Sequence, residues 1–186
     1  MKQLIRNAKI IGTGSYTPEK IFTNEYLSTL VETNSDWIYK NVGINERRIA
    51  AENECTSDLA FYSSQRAIAD AGLTENDIDL IIVATATPDR KAPSTAAILQ
   101  NKFKAYNAVA FDINAVCSGF LFAMSVASQY IASGVYNNVL VVGADTFSKI
   151  TDWSKNVFKL PSGAAGKDFT QEPGMAKPKT LHLKLG

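Results

Sequence analysis

The chain has 186 residues, 46% of them hydrophobic and 20% charged, with a formal net charge of +1. That is enough chain for one domain, or one and a fraction, to bury a sizeable core. Nothing in the overall balance favours nucleic acid or a membrane surface, although residues 151–186 hold six Lys against three acids.

Taken in order, AKIIGTGSYTP (8–18) predicts a short strand ending in a glycine turn. Residues 24–40 predict a helix in two pieces, with Asn24 and Ser35 as N-caps. In 56–73, Leu59, Ala60, Ala67, Ile68 and Ala71 form a helical stripe that Gly72 stops. DIDLIIVATATPD (77–89) is a continuous apolar strand followed by a Pro-rich loop. A helix over 94–103, a strand over 107–114, a helix over 118–133 stopped by Gly134 and a strand over 137–145 complete the series. From about Lys155 the composition turns to Gly, Pro and Lys. There Leu181, Leu183 and Leu185 alternate with His182 and Lys184, which predicts one strand returning to the sheet edge. The chain therefore divides into 1–154 and a divergent basic tail, 155–186.

Strands that are apolar runs and alternate with helices indicate a mainly parallel sheet covered on both faces. The helix from 118 carries Phe120, Leu121, Phe122, Met124, Val126, Tyr130 and Ile131 around most of its circumference, the pattern of a helix buried at the centre of a fold. No sustained apolar run opens the chain, so no signal peptide is read. The most apolar stretch, 120–143, is interrupted by Gln129, Asn137 and Asn138, short of the roughly 20 apolar residues of a spanning helix. Two cysteines far apart in sequence, Cys55 and Cys117, suit a reducing cytoplasm better than a disulfide framework.

Several motifs carry less than they first suggest. GTGS (12–15) has Thr17 where a dinucleotide loop has its third glycine, so a tight turn is expected. SGAAG (162–166) lacks the Lys-Ser/Thr pair of a phosphate loop. His182, the sole histidine, reads as a surface residue, and no spacing suggests a metal site. Cys117 admits two readings. It is a small core filler, or a thiol presented at a strand-to-helix junction, where helix N–H groups favour negative charge on sulfur and hold an oxyanion. Ser118 and Gly119 would let a carbonyl approach the backbone.

FDINAVCSGF around Cys117 resembles the nucleophile motif of the β-ketoacyl-acyl-carrier-protein synthase III family. IIGTGSYTPEK, SDWIYKNVGINERR, SDLA, AGLTENDIDLIIVATATPD, PSTAAILQ and VLVVGADTFSKITDW agree with it in order and spacing, over about residues 8–154. The resemblance implies a thiolase-like α-β-α layered fold with a mainly parallel mixed sheet, of which this chain carries about the first of two related halves. It implies that Cys117 takes an acyl group from acyl-CoA for condensation with malonyl-carrier protein in fatty-acid biosynthesis, that Trp37 flanks bound CoA, and that no cofactor is needed beyond acyl-CoA as substrate. A homodimer would pair the strand near 109–114 across its twofold axis. The family's His and Asn, which drive decarboxylation and stabilise the enolate, have no counterpart in these 186 residues. Asn41 stands where an arginine contacts CoA. Ala92 replaces the bulky aromatic that limits the acyl pocket, which implies a roomier pocket. Two functions follow: an acyltransferase working through Cys117, or a subunit without turnover of its own that needs a partner chain. A cysteine hydrolase fails for want of a partnered base.

Overall fold

A computed structural model describes residues 7–153 and 179–185. In chain order the elements are β1 (Ala8–Ser15), β2 (Lys20–Thr23), α1 (Asn24–Ser28), α2 (Ser35–Val42), β3 (Glu46–Ile49) and α3 (Thr56–Asp70). There follow β4 (Leu80–Ala84), α4 (Thr95–Phe103), β5 (Val109–Ile113), α5 (Gly119–Ser133), β6 (Asn138–Gly143), α6 (Phe147–Ile150) and β7 (Lys179–Leu185). The described residues fall into two compact units, one of residues 7–17, 54–145 and 179–185, the other of 18–53 and 146–153. The sequence readings for 155–178, SGAAG among them, lie outside the described residues.

The first unit is a five-stranded sheet in the order β1-β7-β6-β4-β5. β4 runs parallel to both β5 and β6, and every one of its residues is buried. Because side chains alternate across a strand, it serves two cores. Ile81 and Val83 join Ala60 and Ile68 of α3 and Ala96 and Leu99 of α4 on one face. Leu80, Ile82 and Ala84 join Ala123, Ala127 and Ile131 of α5 on the other. This confirms the layered arrangement and the parallel core that the apolar runs predicted.

Four expectations need correction. Gly12 and Gly14 form no turn: both lie inside β1, where α3 crosses the strand backbone to backbone. A Cβ on Gly14 would stand 2.1 Å from the Ser63 carbonyl oxygen, and one on Gly12 2.4 Å from that of Ala67, so only hydrogen fits. The strand over 181–185 is not at the edge. β7 is inserted between β1 and β6, antiparallel to both, with Ala8 opposite Leu185 and Asn138 opposite Lys184. The caps fall one residue earlier than expected: Thr23 caps α1 through Tyr26 N–H, and Asn34 caps α2 through Trp37 N–H. The helix from 118 buries only a stripe of small residues and Ile131, not its whole circumference.

In the second unit β2 and β3 pair antiparallel, Lys20 opposite Ile49. Asn24, at the start of the intervening segment, is buried and binds the segment's far end and β3. Its side-chain amide donates to the Ile44 carbonyl at 2.8 Å, and its oxygen accepts from the buried Arg47 guanidinium at 3.0 Å. Phe22 meets Tyr26 and Trp153 edge to face.

Candidate active site

β5 ends at Ile113, and α5 starts six residues later. Between them Val116–Ser118 make a single 3-10 turn, of which the expected helix over 118–133 takes in only Ser118. Val116 takes φ +46°. A β-branched residue in the left-handed region is strained, at a cost of order 1–3 kcal/mol, so neighbouring contacts must hold the turn. They are visible. Thr85 N–H donates to the Ile113 carbonyl at 3.1 Å, and Ala144 N–H to that of Ala84 at 3.2 Å, closing the ends of β4, β5 and β6. Gly119 rests on that platform: a Cβ there would lie 3.4 Å from the Ala84 Cβ. Phe120 covers Gly143, where a Cβ would come within 3.0 Å of its ring.

Cys117 stands exposed in this turn, and no described residue buries it as it would a small core filler. Ser118 N–H donates to the Ala115 carbonyl at 3.1 Å and Gly119 N–H to that of Val116. The N–H of Cys117 itself stays outside these turn bonds, and Ser118 gives α5 no side-chain cap.

Two carboxylates that the sequence reading did not single out order the loop between β4 and α4. Asp112, on β5, accepts from the N–H groups of Thr95 and Ala96 at 2.8 and 2.7 Å and so holds the start of α4. Asp145, just past β6, accepts with one oxygen from Thr85 Oγ1 (3.1 Å), Ala86 N–H (2.8 Å), Thr87 N–H (3.1 Å) and Thr87 Oγ1 (3.0 Å). The available signal was an acid at a strand end facing the threonines of ATATP, a pattern of caps rather than of catalysis.

Ala92 is exposed in this same loop, directly before Pro93 and the Ser94 cap of α4. Trp37 belongs to the second unit. It is 40% exposed on α2, with Ile38 beside it buried. The side-chain amide of Asn41 donates to the Trp37 carbonyl at 2.8 Å, so the residue in the arginine's place serves its own helix. His182 lies on β7 opposite Gly12 and Leu140 in register. Among the described residues no group of three or more His, Cys, Asp or Glu side chains is placed to hold a metal.

The outer side of the turn and of the first turns of α5 is apolar and open: Val116 is 62%, Leu121 65% and Phe122 55% exposed. By length and composition 116–133 is apolar enough to cross a membrane, and here its inner stripe packs on the sheet.

The site can be set beside known proteins. The family model for 3-oxoacyl-[acyl-carrier-protein (ACP)] synthase III matches residues 111–167. A beta-ketoacyl-[acyl-carrier-protein] synthase III of Geobacillus kaustophilus is 51% identical over 160 residues, 86% of this chain and 52% of that protein. One of Neisseria gonorrhoeae is 50% identical over 183 residues, 96% of this chain and 56% of its own. The crystal structure of 3-oxoacyl-[acyl-carrier-protein] synthase III from Aquifex aeolicus superposes with a TM-score of 0.81 at 38% identity, covering 95% of this chain and 53% of that one. The chain spans about half the length of the curated relatives it matches.

Proposed function

Because this chain belongs to the β-ketoacyl-[acyl-carrier-protein] synthase III family, we propose that it is an acyltransferase module in which Cys117 accepts an acyl group from acyl-CoA, the loading step of fatty-acid biosynthesis. The observation that carries this reading is the exposed Cys117 on a strained, well-braced turn, with its own N–H outside the turn's hydrogen bonds. The sulfur, as thiolate, attacks the thioester carbonyl carbon. The tetrahedral oxyanion is met by the Cys117 N–H. When the carbonyl reforms, the carbon–sulfur bond to CoA breaks, and CoA leaves as the thiol with the proton that Cys117 gave up. No cofactor enters these steps.

Trp37 would flank the CoA moiety, and the side chain at Ala92 would leave the acyl pocket roomy. Condensation with malonyl-carrier protein would use groups supplied outside the matched half of the relatives' length. A homodimer would form along β5, which among the described residues pairs with β4 alone and whose Val109 is exposed. A cytoplasmic setting agrees with two unpaired cysteines. The fold boundary near residue 154 is part of the same proposal.

A second reading has its own support. The open apolar residues Val116, Leu121 and Phe122 fit a subunit that works only when a partner chain covers them. Intact-protein mass after incubation with acetyl-CoA or a longer acyl-CoA separates the two. An acyl adduct that is lost in Cys117→Ser supports the acyltransferase. No adduct from folded protein, with an adduct once a partner half is supplied, supports the subunit.

A further inference from the structure

The turn that presents Cys117 is not braced by its own residues alone. Its seat is the end of β4: Gly119 lies against Ala84, and the next residue, Thr85, donates its N–H to Ile113, the last residue before the turn segment. Beyond these strand-end bonds, Thr85 and the two residues after it are held by Asp145. Four donors from Thr85, Ala86 and Thr87 converge on a single carboxylate oxygen of Asp145 at 2.8–3.1 Å. The same three-residue segment is held from the far side by Thr56, whose hydroxyl donates to the Thr87 carbonyl at 2.6 Å. A single carboxylate therefore gathers the segment that directly follows Ala84, on which Gly119 rests. Bonds to a charged acceptor are about twice as strong as neutral ones, which suits a group that must hold a strained turn from below.

We propose that Asp145 is a positioning residue for acyl transfer, acting on Cys117 through Thr85, Ala84 and Gly119 without touching substrate. The inference rests on the reading of Cys117 as the acylated nucleophile. Acylation needs the sulfur and the Cys117 N–H together at one carbonyl, whereas alkylation by a small haloacetamide needs only an exposed thiol. A misplaced turn separates the two rates, and a merely less stable protein does not.

The test measures both rates on full-length wild-type, Asp145→Asn and Thr85→Val proteins, using acetyl-CoA with intact mass detection and iodoacetamide. The expected result is acylation slowed about 10- to 100-fold in Asp145→Asn, the range for a small displacement of reacting groups, with alkylation within about twofold of wild type. Thr85→Val, which removes one of the four donors, falls between. Equal changes in both rates, or an unchanged acylation rate in folded Asp145→Asn, overturn the proposal. If Asp145→Asn does not fold, the ratio in Thr85→Val decides alone, and a wild-type ratio there overturns it. A wild-type protein that is alkylated but never acylated sinks the reading of Cys117 instead, so the two failures are told apart.

Discussion

α3 and α5 are each fifteen residues long and lie on opposite faces of the same sheet, yet they are seated by opposite means. α3 comes down on β1 because the strand gives way: Gly12 and Gly14 remove their side chains, and the helix backbone fills the space. α5 comes down on β4 and β6 because the helix gives way, through Gly119, Ala123 and Ala127. Their outer sides differ too. α3 turns Gln65, Arg66 and Asp70 outward, while α5 turns out Leu121 and Phe122 at the end that carries Cys117. A helix whose whole task is structural can be solvated on its outer side. The other keeps an apolar outer side at its Cys117 end, the side that the proposed acyl transfer or a partner chain would use.

The comparison can be broken by substitution, and the largest effect belongs to the α3 seat. Gly14→Ala drives a Cβ into the Ser63 carbonyl oxygen and is expected to cost about 3 kcal/mol in urea unfolding. Gly119→Ala, with an ordinary 3.4 Å contact to Ala84 and a gain in helix propensity, should stay within about 1 kcal/mol of wild type. Similar costs at both glycines would mean that the two seats do not differ as described.

Val116→Gly comes next. Relief of the positive φ, less the added chain entropy, should raise stability by up to about 1 kcal/mol. Acylation of Cys117 should nonetheless slow, because the turn loses its fixed shape. Smaller still, Leu121→Ser and Phe122→Ser should shift unfolding by no more than about 0.5 kcal/mol, since both side chains are open to solvent. Any change in sedimentation on making them would show that this side of α5 mediates self-association. The least effect lies outside both helices. Glu25 is held below the ordinary carboxylate range by its own backbone N–H, then by the hydroxyls of Thr23 and Ser35. Its lowered value favours the folded form above the unfolded carboxylate's range, and that support fades as pH falls through the folded one. Glu25→Gln should flatten the acid limb of an unfolding titration slightly.

Most of the sheet was legible because burial on two faces writes itself as apolar runs: β4, β5 and β6 lie within their expected spans. The placing of Cys117 between a strand and a helix was legible too, from the apolar runs on either side of it. What escaped had no periodic signature. The glycines of β1 read as a turn because their partner, α3, arrives fifty residues later in the sequence. β7 read as an edge strand because alternation reports one polar side, not the number of neighbours. Asp112 and Asp145 look like ordinary acids until the backbone N–H groups they accept are brought beside them by the parallel register of β4 with its neighbours.

The place of β7 also has a consequence in time. A chain leaving the ribosome in order presents β1 and β6 early, with the gap between them unfilled until residues 179–185 have been made. At about 5–20 residues per second, the 42 residues from Gly143 to Leu185 leave two naked strand edges waiting for several seconds. Such edges invite pairing with other chains. The seven-residue strand that fills the gap between β1 and β6 is thus also what removes these two edges from the reach of other chains.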